Sequence, residues 1–463
     1  MPEHTAKRPW ITPAISAHGG GGLNKFGAAR HHLVTDRIAG VMVEDLIRRF
    51  GSPLFVLDEQ RLRDNARRLK SAFAHRWPKV IHAWSYKTNY LGAVCNTLHQ
   101  EGYIAEVVSA FEYEKARALG VPGDCIIFNG PHKPHAALEQ AAREGARIHI
   151  DNLDELYLLE DVAREIGKTV PVAIRLNFET GYSDAWSRFG FNLESGQALD
   201  TARRVAESQH LRLVGLHTHL GTFITDPRAY AAAAQCLCTF MDTVEAQTRA
   251  VIEYLDFGGG FASKNALQGV YLPPEQIVPA PEQYAEALCD ALMAATRVRE
   301  ARGMPQPILI LETGRAVVDD AESLIVSVVA NKRLPDGRRG VVLDAGVNVL
   351  FTGFWYHHEV RPVVWPAGIP EETVLYGPLC MNIDVMRHSL QIPPLALGDK
   401  LVFNPVGAYN NTQWMQFIEY RPAVVMVAQD ASVEIVRKRE DLACVTAQER
   451  LPEKLLNPFG AAV

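Results

Sequence analysis

Ile81-His-Ala-Trp-Ser-Tyr-Lys-Thr-Asn89 is the stretch whose reading decides the fold. Val80 to Trp84 has the composition of a buried strand, and Lys87 follows it just before a polar turn. Most lone lysines are solvated surface charges. An ammonium at the mouth of an apolar strand is costly, so it tends to be neutralised, paired or used chemically. Desolvation also favours the neutral amine, the form that makes a Schiff base.

Outward from Lys87, short β-rich runs alternate with stretches of helical period. The runs are Pro53 to Leu57, Val80 to Trp84, Tyr103 to Val108, Cys125 to Phe128, Arg147 to Ile150, Val172 to Leu176, Leu213 to Leu216, Ile252 to Phe257 and Ile308 to Leu311. Between them, Glu59 to Ala74 and Asp154 to Ile166 carry apolar residues three and four apart. Such alternation predicts parallel strands with helical crossovers, and about eight units predict a closed (β/α)8 barrel over 53–315. An open doubly wound sheet is the alternative. After about residue 315, Leu324 to Val329, Gly340 to Leu343, Thr373 to Tyr376, Lys400 to Phe403 and Val424 to Val427 read as strands without crossovers. A mostly antiparallel β domain is therefore expected over 316–463, joined by the segment 31–52, where Leu33 to Ile38 offers a further strand. Residues 1–30, with Gly19 to Gly22, read as a flexible extension.

Composition excludes several classes. The 463 residues are 48% hydrophobic and 22% charged, with a net charge of -6, so nucleic acid and anionic membranes are poor partners. No apolar run reaches the roughly 18 residues of a membrane span, and an apolar signal segment is lacking at the start. Seven scattered cysteines without CxxC pairs suggest reduced thiols and a cytoplasmic location.

Barrel enzymes place their chemistry at the C-terminal ends of strands. There the sequence has Lys87, Glu106 and Ser109, Asn129, His217 and His219, Gly258-Gly-Gly260, and Glu312-Thr-Gly-Arg315. Each has a bland reading. The His217-x-His219 pair suits zinc, but no third ligand or carboxylate accompanies it, so no metal is expected. A triple glycine alone is a turn, and Glu312 with Arg315 alone is an ion pair. Together, the glycines expose N–H groups for a phosphate, Arg315 adds a cationic fork, and Glu312 supplies an anion that keeps a ring nitrogen protonated.

Ser85-Tyr-Lys87-Thr-Asn, Val107-Val-Ser109, His217-Thr-His219-Leu-Gly221-Thr222, Gly258-Gly-Gly260-Phe, Glu312-Thr-Gly-Arg315, Tyr376-Gly-Pro-Leu-Cys380 with Asp384, and Gly407-Ala-Tyr409 occur in that order. In order and spacing they resemble the fold-type III pyridoxal-phosphate decarboxylases, the diaminopimelate and ornithine decarboxylase family, from about residue 33 to residue 440. The resemblance implies an alanine-racemase-like barrel and pyridoxal 5'-phosphate as cofactor. It implies that Lys87 holds the cofactor, His219 stacks on its ring and Glu312 bonds its nitrogen. Ser109, Gly221, Thr222, Gly258, Gly259, Gly260, Gly314, Arg315 and Tyr409 would surround the rest, with Glu106 beside the lysine. Cys380, as proton donor, and Asp384 would come from the partner in a homodimer with shared sites. The implied reaction is α-decarboxylation of an amino acid to CO2 and an amine.

Two departures bear on the substrate. Met381 stands where the family's diaminopimelate members carry a glutamate, and Thr352 stands eight residues after Asp344, where they carry an arginine. Losing a distal anion and a distal cation argues for a diamino acid with a less charged tail, or one conjugated to an acid or carrier. An amino-acid racemase, a metal-dependent barrel hydrolase and an inactive relative are the competing readings.

Overall fold

The computed structural model describes residues 33–270 and 272–456, so the expected extension at 1–30 lies outside the described residues. Eight parallel strands form the first unit: β1 (Val80–Ser85), β2 (Ile104–Val107), β3 (Ile126–Phe128), β4 (Arg147–Ile150), β5 (Val170–Asn177), β6 (Leu211–Thr218), β7 (Tyr254–Asp256) and β8 (Ile308–Thr313). Each pairs with the next, and β8 pairs with β1, so the sheet closes into a barrel.

Local chemistry explains the crossovers. The helix Leu153–Ile166 starts at Asn152, whose side chain accepts from the Glu155 N–H, and stops at Gly167, where φ is +67°. Its Leu156, Leu159, Val162 and Ala163 are buried, one face at helical spacing. Each large side chain in that stripe contributes about 1.5–3 kcal/mol. The helix Glu59–Ala74 is capped likewise by Asp58.

Inside the barrel, strand register sets which side chains point inward. Ala83 pairs with Ile104, Ile127 with Arg147, Gly215 with both Ala173 and Tyr254, and Asp256 with Ile310. Ala83, Ile127, Ala173, Val214, Tyr254 and Ile310 pack there as one buried cluster. Because side chains alternate with period two, Ser85, Glu106, Asn129, Arg175, Asp256 and Glu312 stand one inward position further along their strands. The lower barrel is apolar and its C-terminal end is polar.

The second unit is a mostly antiparallel sheet. Glu322–Arg333 pairs antiparallel with Arg339–Leu343 and Lys400–Asn404, while Arg339–Leu343 runs parallel to Glu371–Tyr376. Two expectations are corrected. The run at 53–57, expected to open the barrel, is the strand Leu54–Asp58 of this sheet, antiparallel to Glu322–Arg333 and parallel to Ala423–Val427. Its Leu54 and Val56 pack with Ile325, Val402 and Val425. An apolar run carries no record of which distant strand it will pair with. Leu33 to Ile38 adds no strand there: among the described residues Arg37–Ile38 pairs only with Val41–Met42, although Ile38 joins the β-domain core and the Thr35 N–H donates to the Pro362 carbonyl.

Candidate active site

Lys87 sits in the turn Tyr86–Thr88 directly after β1. Its Nζ donates to Ser85 Oγ at 2.7 Å and to Glu106 Oε2 at 2.5 Å, and Ser85 Oγ donates to the same carboxylate. Asn129 Nδ2 donates to Glu106 Oε1 at 2.9 Å and to Glu312 Oε1 at 2.5 Å. One amide thus ties together the two buried carboxylates that flank the lysine. Burial pulls the Lys87 ammonium down, but the charges of Glu106 and then Glu312 outweigh it, and the group is held above its ordinary value. That reverses the expectation that desolvation favours the free amine here.

His219 lies just past β6. Burial, and then the nearby charges of Arg175 and Lys87, push its imidazole down to about 3, so the ring is neutral. Its Nδ1 accepts from the Gly259 N–H at 3.1 Å, and its ring lies 5.4 Å from Trp186. The glycine run is shaped by close approach. A Cβ at Gly259 would lie 2.2 Å from the Glu312 carbonyl oxygen, and one at Gly260, where φ is +91°, 2.5 Å from that of Gly221. The Gly258 N–H donates to Asp256 Oδ1 at 2.8 Å. Two of the three N–H groups expected to receive a phosphate are therefore engaged within the protein. Among the described residues the Gly260 N–H has no partner.

Lys87, His219, Gly221, Thr222, Gly260, Glu312, Gly314, Arg315 and Tyr409 line one pocket. Arg315 is buried there, with the rings of Tyr356 and Tyr409 at 4.6 and 5.0 Å from its guanidinium carbon. Its Nε and Nη1 lack hydrogen-bond partners among the described residues. Tyr409 reaches the pocket through a left-handed backbone, φ +67°, with its N–H on the Thr88 carbonyl. The only carboxylate contact of Arg315 among the described residues is a 3.7 Å approach of Nη1 to Asp319 Oδ2. A buried guanidinium with hydrogen-bonding capacity to spare, a close-packed glycine floor and an adjacent lysine fit a phosphorylated aldehyde. A second cavity of about 330 Å³ adjoins it at Lys87, with Val108, Pro131, Trp186 and Phe189 among its walls.

Other expected site residues lie elsewhere in the chain. Ser109 caps the helix Ala110–Ala118, its Oγ accepting from the Glu112 N–H, and lines neither pocket. Thr352 is buried, its Oγ1 bonded to Asn410 Oδ1 and His358 Nε2. Asp384 is buried too, and its carboxylate accepts the N–H groups of Val347 and Leu379, both at 2.8 Å. That carboxylate organises the turn carrying Cys380 and Met381. Cys380 is exposed, and neither it nor Met381 lines the pockets of its own chain.

Sequence reasoning missed Arg175, His149 and Asp256 and gave Asn129 no role. The period-two alternation was the available signal, because each lies on an inward position of a barrel strand. Glu312, His217 and His149 have donor atoms within 4.8 Å of one another, which supplies the carboxylate and further histidine that the zinc reading lacked. A cation there would compete with Asn129 for Glu312 and would feel the charge of Arg175 on the His217 ring. His219 is not part of that set.

Residues 60–319 match the family model described as pyridoxal-dependent decarboxylase, pyridoxal binding domain. The chain belongs to the pyridoxal-dependent decarboxylase family. It is 29% identical over 449 residues to the diaminopimelate decarboxylase of Bacillus subtilis (strain 168), covering 91% of this chain and 95% of that one. Against a crystal structure of diaminopimelate decarboxylase from Methanocaldococcus jannaschii the TM-score is 0.83 at 26% identity, over 92% of this chain and 98% of the other. A lysine/ornithine decarboxylase from Vibrio vulnificus, complexed with putrescine, gives 0.69 at 25%, over 84% and 98%. The protein is a pyridoxal-phosphate-dependent carboxy-lyase acting on an amino acid. Among the described residues no helix is long and apolar enough to cross a membrane.

Proposed function

We propose that this decarboxylase acts on a diamino acid whose distal end is less charged than that of diaminopimelate, including acid- or carrier-conjugated forms. The observation that carries the reading is the constellation of Lys87 tied to Glu106, Glu312 tied through Asn129, and Arg315, whose Nε and Nη1 make no hydrogen bond among the described residues, around one pocket. Pyridoxal phosphate supplies the electron sink that makes loss of the α-carboxylate possible. Lys87 would bind the cofactor carbonyl, Arg315 and the Gly260 N–H would hold its phosphate, and the neutral His219 ring would lie against it. Glu312 would meet the ring nitrogen. The relatives act on diaminopimelate by name, but Met381 offers a distal ammonium no anion. The apolar walls at Val108, Pro131, Trp186 and Phe189 suit an uncharged tail.

The second part of the proposal is a homodimer with shared sites. Cys380 lies outside its own chain's pockets on an ordered, exposed turn, the placement expected of a residue delivered to a neighbour's site. There the partner subunit's Cys380 would return a proton to the substrate Cα. The seven cysteines are all unpaired, in keeping with a cytoplasmic enzyme.

The test is CO2 release from a panel holding meso-diaminopimelate, L- and D-lysine, L- and D-ornithine, arginine, and citrate- or carrier-conjugated diamino acids. Release only from members with an uncharged or conjugated distal end is expected. Efficient release from diaminopimelate would overturn the substrate reading.

A further inference from the structure

Asn129 holds one oxygen of Glu312, and the other faces a buried column of rings. Glu312 Oε2 lies 3.6 Å from His217 Nε2. The His217 ring packs on that of His149 with centroids 4.8 Å apart, and His149 Nε2 lies 3.1 Å from Tyr254 Oη. The Tyr254 ring fits inside the barrel because its neighbour on β6 is Gly215, where a Cβ would lie 2.3 Å from the ring. Below, Tyr254 borders a cavity at the barrel's N-terminal end with Arg147, Arg212 and Glu253. All three rings are at most 5% exposed.

Such a column is expensive as packing alone. His217 Nδ1 and Nε2 and His149 Nδ1 have no hydrogen-bond partner among the described residues. Each unpartnered buried nitrogen carries a desolvation cost, whereas Ala83, Ile127, Ala173 and Ile310 fill the barrel interior at no such cost. Burial, and then the Arg175 charge for His217 and the His217 ring for His149, hold both imidazoles well below their usual range. A neutral imidazole carries one N–H donor, and on His217 Nε2 it would face Glu312 Oε2 at 3.6 Å. Asp256, buried nearby, is pushed well above its usual range by burial and then by the Glu312 charge.

We propose that His217 is a positioning residue for Glu312: its imidazole, braced by His149 and Tyr254, presents its N–H to the second carboxylate oxygen and holds Glu312 in place for the cofactor's ring nitrogen. This rests on the role given to Glu312 above. The test therefore compares two cofactors in the full-length protein, stripped and reconstituted: pyridoxal phosphate and its 1-deaza analogue, whose ring has carbon in place of nitrogen. The readout is the dissociation constant of each, measured for wild type, Glu312→Gln, His217→Leu, His217→Gln and Tyr254→Phe.

Wild type should prefer pyridoxal phosphate. His217→Leu should weaken pyridoxal phosphate about tenfold, the scale of one charge-assisted hydrogen bond, and the deaza analogue less than about twofold. His217→Gln, which keeps a donor, should recover part of the preference, and Tyr254→Phe should lower it about threefold. Equal weakening of both cofactors by His217→Leu would reduce the column to packing and overturn the proposal. If His217→Leu fails to fold, Tyr254→Phe decides, and an unchanged preference there overturns it. Loss of all discrimination in wild type and Glu312→Gln alike would instead overturn the Glu312 role, and the proposal with it.

Discussion

The C-terminal end of the barrel interior and the Gly377-to-Asp384 turn of the β domain both carry the polar residues that the sequence marks as functional, yet they differ in what those residues do. At the barrel end, Lys87, Glu106, Asn129 and Glu312 bond to one another across strands distant in sequence, and Arg315 Nε and Nη1 make no hydrogen bond among the described residues. In the turn, Asp384 bonds to its own backbone surroundings, and a Cβ at Gly346 or Gly377 would lie within 2.4 Å of its carboxylate. Polar groups left facing a pocket do chemistry. Polar groups whose lone pairs are filled from their own loop give that loop a shape.

The largest effect expected from this contrast is at Lys87. Lys87→Ala should remove the cofactor's visible absorbance band and lower turnover by roughly 10⁴-fold or more. Retained turnover would place the chemistry elsewhere. Next comes the exposed end of the turn. Cys380→Ala should lower kcat about 10²–10³-fold with cofactor affinity intact, as for a lost proton donor. Mixing the inactive Lys87→Ala and Cys380→Ala proteins should then restore roughly a quarter of wild-type activity through hybrid dimers. Mixtures that stay inactive would show that the two residues serve one chain's site.

Asp384→Ala should behave as a structural lesion. Leaving the Val347 and Leu379 N–H groups unpaired should cost about 2–4 kcal/mol, read as a lower Tm, while pyridoxal phosphate still binds. A change in substrate preference at unchanged Tm would restore Asp384 to the substrate pocket.

The smallest effect lies at the seam between the two regions. Glu322 starts the strand Glu322–Arg333 and accepts from Asn89, beyond the Lys87 turn, and from Asn411. Burial pushes its carboxyl up to about 8, although Asn411 opposes the shift. In the unfolded chain it titrates near 4.5. The folded state therefore binds more protons between those values, and stability falls as pH rises through that window. Glu322→Gln should flatten the fall by a few degrees in Tm at pH 8. An unchanged pH profile would mean that another group governs it.

Much of this was legible in the chain. Helix Glu59–Ala74 follows from its apolar spacing, the strand Arg147–Ile150 from its composition, and Lys87, His219, Glu312 and Arg315 are recognisable as strand-end residues. The strand Leu54–Asp58 was not, because pairing across more than 260 residues leaves no local trace. The bonding of Thr352 and Asp384 within their own chain was not legible either, because type and position indicate a polar side chain, whereas only packing reveals whether its hydrogen bonds are already made.

The amino-acid order by itself determined the alternation that closes the barrel, the placement of one lysine beyond an apolar strand, and the residues able to meet a phosphate and a ring nitrogen. Tertiary structure decided the charge state of Lys87, which depends on carboxylates 19 and 225 residues away in sequence. It also decided which glycine keeps a free N–H and the stacking of His217 on His149. Periodicity is a local property of the chain, whereas electrostatics and hydrogen-bond satisfaction depend on distances that exist only once the barrel has closed.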